Sequence, residues 1–140
     1  MKSSLYHYYA NLAKETAKLS YCKRACVGAV VVTRTGAIYS GYNGTIAKHY
    51  PNVCELDDGS TAPWTTHAEE QCFYKMLKEG VSAEGATLFV TTSCCVNCAR
   101  MMACSGVERV IYMHEYRDTT GLEILINCGV IVEKYDENYC

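Results

Sequence analysis

Two prolines, two phenylalanines and one tryptophan are all that the 140 residues contain, and neither sign of charge predominates. With 49% hydrophobic residues and a net charge of -2, the chain is neither disordered nor fibrous. Its length suits one domain spanning residues 1–140. No apolar run approaches the ~20 residues needed to cross a membrane. The longest covers residues 25–32 only. The opening Met1-Lys2-Ser3-Ser4-Leu5-Tyr6-His7 lacks the apolar core of an export signal. The expected location is therefore cytoplasmic, in the cell or in an infected host cell. A pI near 6.1 lacks the basic footprint of a nucleic-acid partner.

Cysteine, by contrast, is plentiful. Ten in 140 residues is just under the roughly 8–10% that marks a disulfide scaffold. In a reducing compartment such residues are buried small hydrophobes, metal ligands or catalytic thiols.

The residue pattern alternates strands and helices. Residues 4–19 place Leu5, Tyr8, Tyr9, Leu12, Thr16 and Leu19 on one helical stripe. The β-branched run at residues 27–33 and the segment 37–42 flank Arg34-Thr35-Gly36, which predicts a hairpin. Residues 43–66 are irregular and hold both prolines. A helix is expected over residues 67–78, with Thr65 or Thr66 as N-cap and Gly80 near its end. Strands at 86–91, 109–113 and 130–134 alternate with helices at 95–105 and 121–128. Such alternation implies right-handed crossovers and parallel strands. The expected fold class is α/β: a three-layer α/β/α sandwich, its five-stranded mixed sheet made of an antiparallel hairpin followed by parallel strands. Phe73, Leu77, Met101 and Met102 read as core, and Arg34 and Arg109 as solvated surface.

Two clusters carry chemistry. Cys95 and Cys98 stand three apart where a strand runs into a helix. At that spacing both sulfurs lie on one side of the first turn. The free N–H groups and dipole of the helix end favour thiolates there. Alone, the pair is as compatible with buried or redox cysteines as with zinc. His67-Ala68-Glu69 supplies a third, neutral ligand and a carboxylate two residues on. One His and two thiolates balance Zn²⁺ and leave a fourth position open, the mark of a catalytic zinc. Glu69 is suited to general acid/base work beside that position.

Together these residues resemble the signature of the zinc-dependent nucleoside and nucleotide deaminases, H-x-E…P-C-x-x-C. Gly41-Tyr42-Asn43-Gly44, Val27-Gly28-Ala29-Val30, residues 85–91, and Val110-Ile111-Tyr112-Met113 with Tyr116 resemble the deoxycytidylate (dCMP) deaminase family, of the compact viral or bacterial type. The resemblance implies a cytidine deaminase-like fold and zinc held by His67, Cys95 and Cys98. It makes Glu69 the catalytic proton shuttle, and Arg24, Asn43, Ala68 and Tyr116 the substrate contacts. Arg24 and Tyr116 match phosphate-contacting positions, and Asn43 the sugar- and base-binding one. Where the family has Pro before the first metal cysteine, this chain has Cys94. A Cys94/Cys98 ligand pair is the alternative, at a spacing that departs from C-x-x-C.

The reaction implied is hydrolytic deamination of dCMP to dUMP, which supplies dTTP synthesis. The alternatives are a bifunctional dCMP/dCTP deaminase, a tRNA adenosine deaminase and a non-catalytic zinc module. The resemblance further implies a homohexamer with dCTP and dTTP as effectors. Asp57 and Asp58 are candidates to hold a Mg²⁺-nucleotide. The other seven cysteines, Cys22 among them, read as reduced thiols.

Overall fold

A computed structural model describes residues 1–140. In chain order the elements are α1 (Ser3–Ala17), β1 (Gly28–Val32), β2 (Ile38–Tyr42), β3 (Gly44–Thr45), β4 (Thr65–Thr66), α2 (Ala68–Glu79), β5 (Thr87–Thr92), α3 (Val96–Cys104), β6 (Arg109–His114), α4 (Thr120–Asn127) and β7 (Ile131–Lys134). Five strands form one sheet in the order β2-β1-β5-β6-β7. The hairpin β1–β2 is antiparallel, with Val30 opposite Ser40, and β1 also meets β5 antiparallel. β5, β6 and β7 run parallel. The expected mixed sheet is present. Each parallel step is connected through a helix, as crossovers between parallel strands require.

The pleat divides the core in two. Ala29, Val31, Leu88, Val90 and Val110 face α2, α3 and α4, where Phe73, Met76, Met102, Leu122 and Leu125 pack on them. Val30, Val32, Phe89 and Ile111 face α1 on the other side. Alternate residues of one strand thus feed opposite layers, and β1, covered on both faces, reads as an unbroken apolar run.

α1 departs from the expected stripe. Tyr6, Tyr9, Ala10, Ala13 and Thr16 are buried, while Leu5, Tyr8 and Leu19 are exposed. Size decides the face: α1 comes so close to β1 that a Cβ on Gly28 would stand 2.1 Å from the carbonyl oxygen of Ala13. Only small residues fit along that line; Tyr6 and Tyr9 pack beside it against Phe89, and Leu5, Tyr8 and Leu19 turn outward. Leu77 likewise lies outside the core at 75% exposure, while Phe73 and Met76 are buried. Arg109 is half-buried rather than free, paired with Glu133 one strand away. No helix is long and apolar enough to cross a membrane.

Candidate active site and metal centre

Two helix N-termini converge beyond the C-terminal end of the central strand β5. β4 delivers the chain into α2 with His67, not Thr65 or Thr66, as the N-cap residue, and the His67 backbone N–H donates to Glu70 Oε1 at 2.8 Å. β5 delivers it into α3 with Cys95 as N-cap and Cys98 in the first turn. His67 Nδ1 consequently lies 3.4 Å from Cys95 Sγ and 3.4 Å from Cys98 Sγ. The three donor atoms all fall within 4.8 Å of one another. A tetrahedron with Zn–S of about 2.3 Å and Zn–N of about 2.0–2.1 Å has edges of roughly 3.6 Å, so this donor set fits zinc. It is the only group of three such donors in the chain.

Cys94 is not among them. Its sulfur is buried in the core beside Cys98, Ala99 and Leu122, and burial pushes its thiol up to about 12. The cluster proper is electrostatically coupled. The Cys98 thiol and then His67 hold Cys95 down to about 3, and the Cys95 thiolate raises His67 to about 9. The Cys98 thiol is raised chiefly by the hydrogen bond it donates to Cys95, and then by burial. A metal ion replaces the shared protons on binding. Glu69, two residues from His67, is 4% exposed, and that burial pushes its carboxyl up to about 7.

The start of α4 braces the loop that carries Cys94 and Cys95. A Cβ on Gly121 would lie 2.5 Å from the carbonyl oxygen of Cys94 and 3.0 Å from that of Cys95. Gly121→Ala must therefore push the loop off the helix. A cost of about 1–3 kcal/mol is expected, with weaker metal retention in a chelator competition. Unchanged metal affinity would show that the loop yields without moving Cys95.

A cleft of about 410 Å³ opens over the cluster. Arg24, Asn43, His67, Ala68, Glu69, Cys95 and Tyr116 all line it, and Cys98 lies behind the wall. Seven of the eight sequence-predicted residues thus face one space. Asn43 is already engaged: its Oδ1 accepts from the Val27 N–H and its Nδ2 donates to the Ala25 carbonyl, each at 2.8 Å. It shapes the wall formed by residues 25–27. Tyr116 is brought in by its backbone N–H, which donates to Ser93 Oγ at 2.7 Å. Arg24 reaches Thr61 Oγ1 at 3.4 Å and the Gly59 carbonyl.

Several lining residues carry no sequence signal for the site: Glu55, Thr61, Thr92, Glu115 and Arg117, while Thr65 reads from sequence only as a helix cap. Glu55 and Thr61 belong to the long irregular loop, where no periodicity points a side chain. Arg117 adjoins Tyr116, and adjacency alone could have suggested it. Asp57 and Asp58 do not line this cleft. Asp58 Oδ1 accepts from the Ser60 N–H and hydroxyl at 2.9 and 2.6 Å, closing its own turn.

One expectation is corrected outright. Cys22 and Cys54 form a disulfide across 32 residues of chain, so they are not reduced thiols. Linear spacing hid the pair, because the loop folds back to bring Cys54 beside Cys22. In the chain-entropy picture a closure of this length is worth about 3–4 kcal/mol. Denatured but unreduced protein should show eight reactive thiols, matching the eight free cysteines. A dithiol reductant should raise the count to ten and lower Tm. Ten thiols without reductant would refute the bond.

The sequence matches the family described as the cytidine and deoxycytidylate deaminase zinc-binding region over residues 3–114. The deoxycytidylate deaminase of Mycobacterium phage D29 is 33% identical over 121 residues, which is 77% of this chain and 93% of the phage protein. That of Saccharomyces cerevisiae is 30% identical over 145 residues, 96% of this chain; the chain spans 46% of the yeast protein's length. The crystal structure of dCMP deaminase from the cyanophage S-TIM5, in complex with dCMP and dUMP, superposes with a TM-score of 0.91 at 43% identity, over 96% of this chain and 99% of that one. With 112 of its residues inside the matched region, the chain belongs to the zinc-binding cytidine and deoxycytidylate deaminase family.

Proposed function

We propose that the protein is a deoxycytidylate deaminase, converting dCMP and water to dUMP and ammonia. The observation that carries this reading is the three-donor cluster with a buried carboxylate, Glu69, in the wall of the same cleft. Likeness to a phage enzyme bound to dCMP and dUMP supports the choice of substrate.

In this reading His67, Cys95 and Cys98 hold zinc. When bound, the ion supplies Lewis acidity that makes water nucleophilic near neutral pH. Glu69 takes the proton from the attacking water as the new C–O bond forms at C4 of the base. It then returns a proton to the exocyclic amine as the C–N bond breaks and ammonia leaves. Ala68, fully buried between the two functional residues, offers its backbone to the base edge. Arg24 is the phosphate contact, its fork suited to two oxygens. Tyr116 lies on the same cleft wall and Asn43 at the sugar side.

The two cores flanking one sheet support reading residues 1–140 as one deaminase domain. A homohexamer regulated by dCTP and dTTP belongs to the same proposal. Leu5 and Tyr8 on α1 and Leu77 on α2 leave apolar side chains exposed on the two outer layers, which supports assembly; the effectors rest on the family resemblance. The direct test is ammonia release from dCMP by the zinc-loaded protein, with dUMP formed in equal amount. Absence of both products would overturn the assignment.

A further inference from the structure

The irregular loop at residues 46–64 contributes an acidic group to the phosphate side of the cleft. Glu55 Oε1 accepts from the backbone N–H groups of Lys23 and Arg24 at 2.9 and 3.0 Å. Glu55 also pairs with Thr61 in an isolated antiparallel bridge. Thr61 Oγ1 in turn takes a hydrogen bond from the Arg24 guanidinium. Arg24 is thus held at both ends by one small ring of contacts, and the Glu55 carboxylate sits inside that ring. The disulfide through Cys54 anchors it there, one residue away. Both Glu55 and Arg24 line the cleft.

A carboxylate so placed does two things. It fixes the backbone that presents Arg24, and it sets a negative charge in the wall of the cleft that Arg24 also lines. Two arginines, Arg24 and Arg117, line this cleft against three carboxylates, Glu55, Glu115 and the metal-site Glu69. Two cations are enough to meet one phosphate group. Each further phosphate adds negative charge near an immobilised carboxylate, with no third lysine or arginine lining the cleft to receive it.

We infer that Glu55 is a specificity-determining residue that confines the site to nucleoside monophosphates and disfavours triphosphates. The inference rests on the dCMP deaminase reading of the site. Glu55→Gln keeps an oxygen to accept the two backbone N–H groups and removes the charge, whereas Glu55→Asp keeps the charge on a shorter side chain.

The experiment compares kcat/KM on dCMP and dCTP in the wild type and both variants. The wild type should favour dCMP. Glu55→Gln should raise the dCTP value at least tenfold relative to the dCMP value, chiefly through KM, and Glu55→Asp should keep the wild-type preference. A merely structural role for Glu55 would move both substrates together and leave the ratio alone. An unchanged ratio in an active Glu55→Gln protein overturns the inference and leaves the dCMP reading intact. So does a wild type that uses dCTP as well as dCMP, whether or not the variants fold. A wild type inactive on both nucleotides overturns the dCMP reading and the inference with it.

Discussion

Glu69→Gln should lower kcat on dCMP by about 10²–10⁴-fold, the usual worth of a positioned proton-transfer group, while the protein still binds one zinc per chain. The two outcomes separate because Glu69 lies in the cleft wall but outside the three-donor cluster. Its burial sharpens the contrast. At 4% exposure the carboxylate form is penalised by lost solvation, whereas an amide of the same shape carries no net charge to desolvate. The variant's Tm should therefore match or exceed that of the wild type. Loss of turnover without loss of stability is the signature of a group retained for chemistry at a cost in folding. Metal analysis, a thermal melt and a dCMP assay on one preparation check all three parts. A kcat within tenfold of wild type would remove Glu69 from the reaction.

Much of this centre was legible because it depends on local order. A histidine and a glutamate at the start of one helix, and two cysteines at the start of the next, take their relative placement from short-range geometry. The sheet then supplies the long-range step, and its strands are marked by runs such as residues 28–32. What stayed hidden was set by tertiary fit. The face of α1 is chosen by how closely Ala13 and Ala17 approach Gly28 of β1, which bulk and periodicity do not report. Leu77 keeps a helical period that suits the core yet lies past the edge of the packed face. The Cys22–Cys54 bond and the place of Glu55 depend on the path of a loop with no repeating pattern. The outer wall of the cleft, where the phosphate is proposed to bind, was accordingly the least readable part of the site.

Replacing cysteines one at a time should divide Cys94 from Cys95 without ambiguity. Cys95→Ala and Cys98→Ala should each abolish stoichiometric zinc and activity, because each removes one of only three donors. The stability that the metal contributes goes with it. At a free metal concentration a thousand times Kd, that contribution is about 4 kcal/mol. Cys94→Ala should instead keep zinc and turnover. Its cost should be about 1 kcal/mol, the order expected when one buried heavy atom is trimmed from a packed core. The contrast follows from backbone direction. Cys95 caps α3 in an extended conformation, with φ of -76° and ψ of 172°, and consecutive side chains along extended backbone project to opposite sides. Cys95 therefore points to His67, and Cys94 into the core among Ala99 and Leu122. The core role also accounts for the tolerance of a non-proline residue here, since a small apolar side chain fills the space. Zinc lost from Cys94→Ala but kept in Cys95→Ala would reverse the ligand assignment to Cys94 and Cys98. It would also require the loop braced by Gly121 to turn over before it could bind metal.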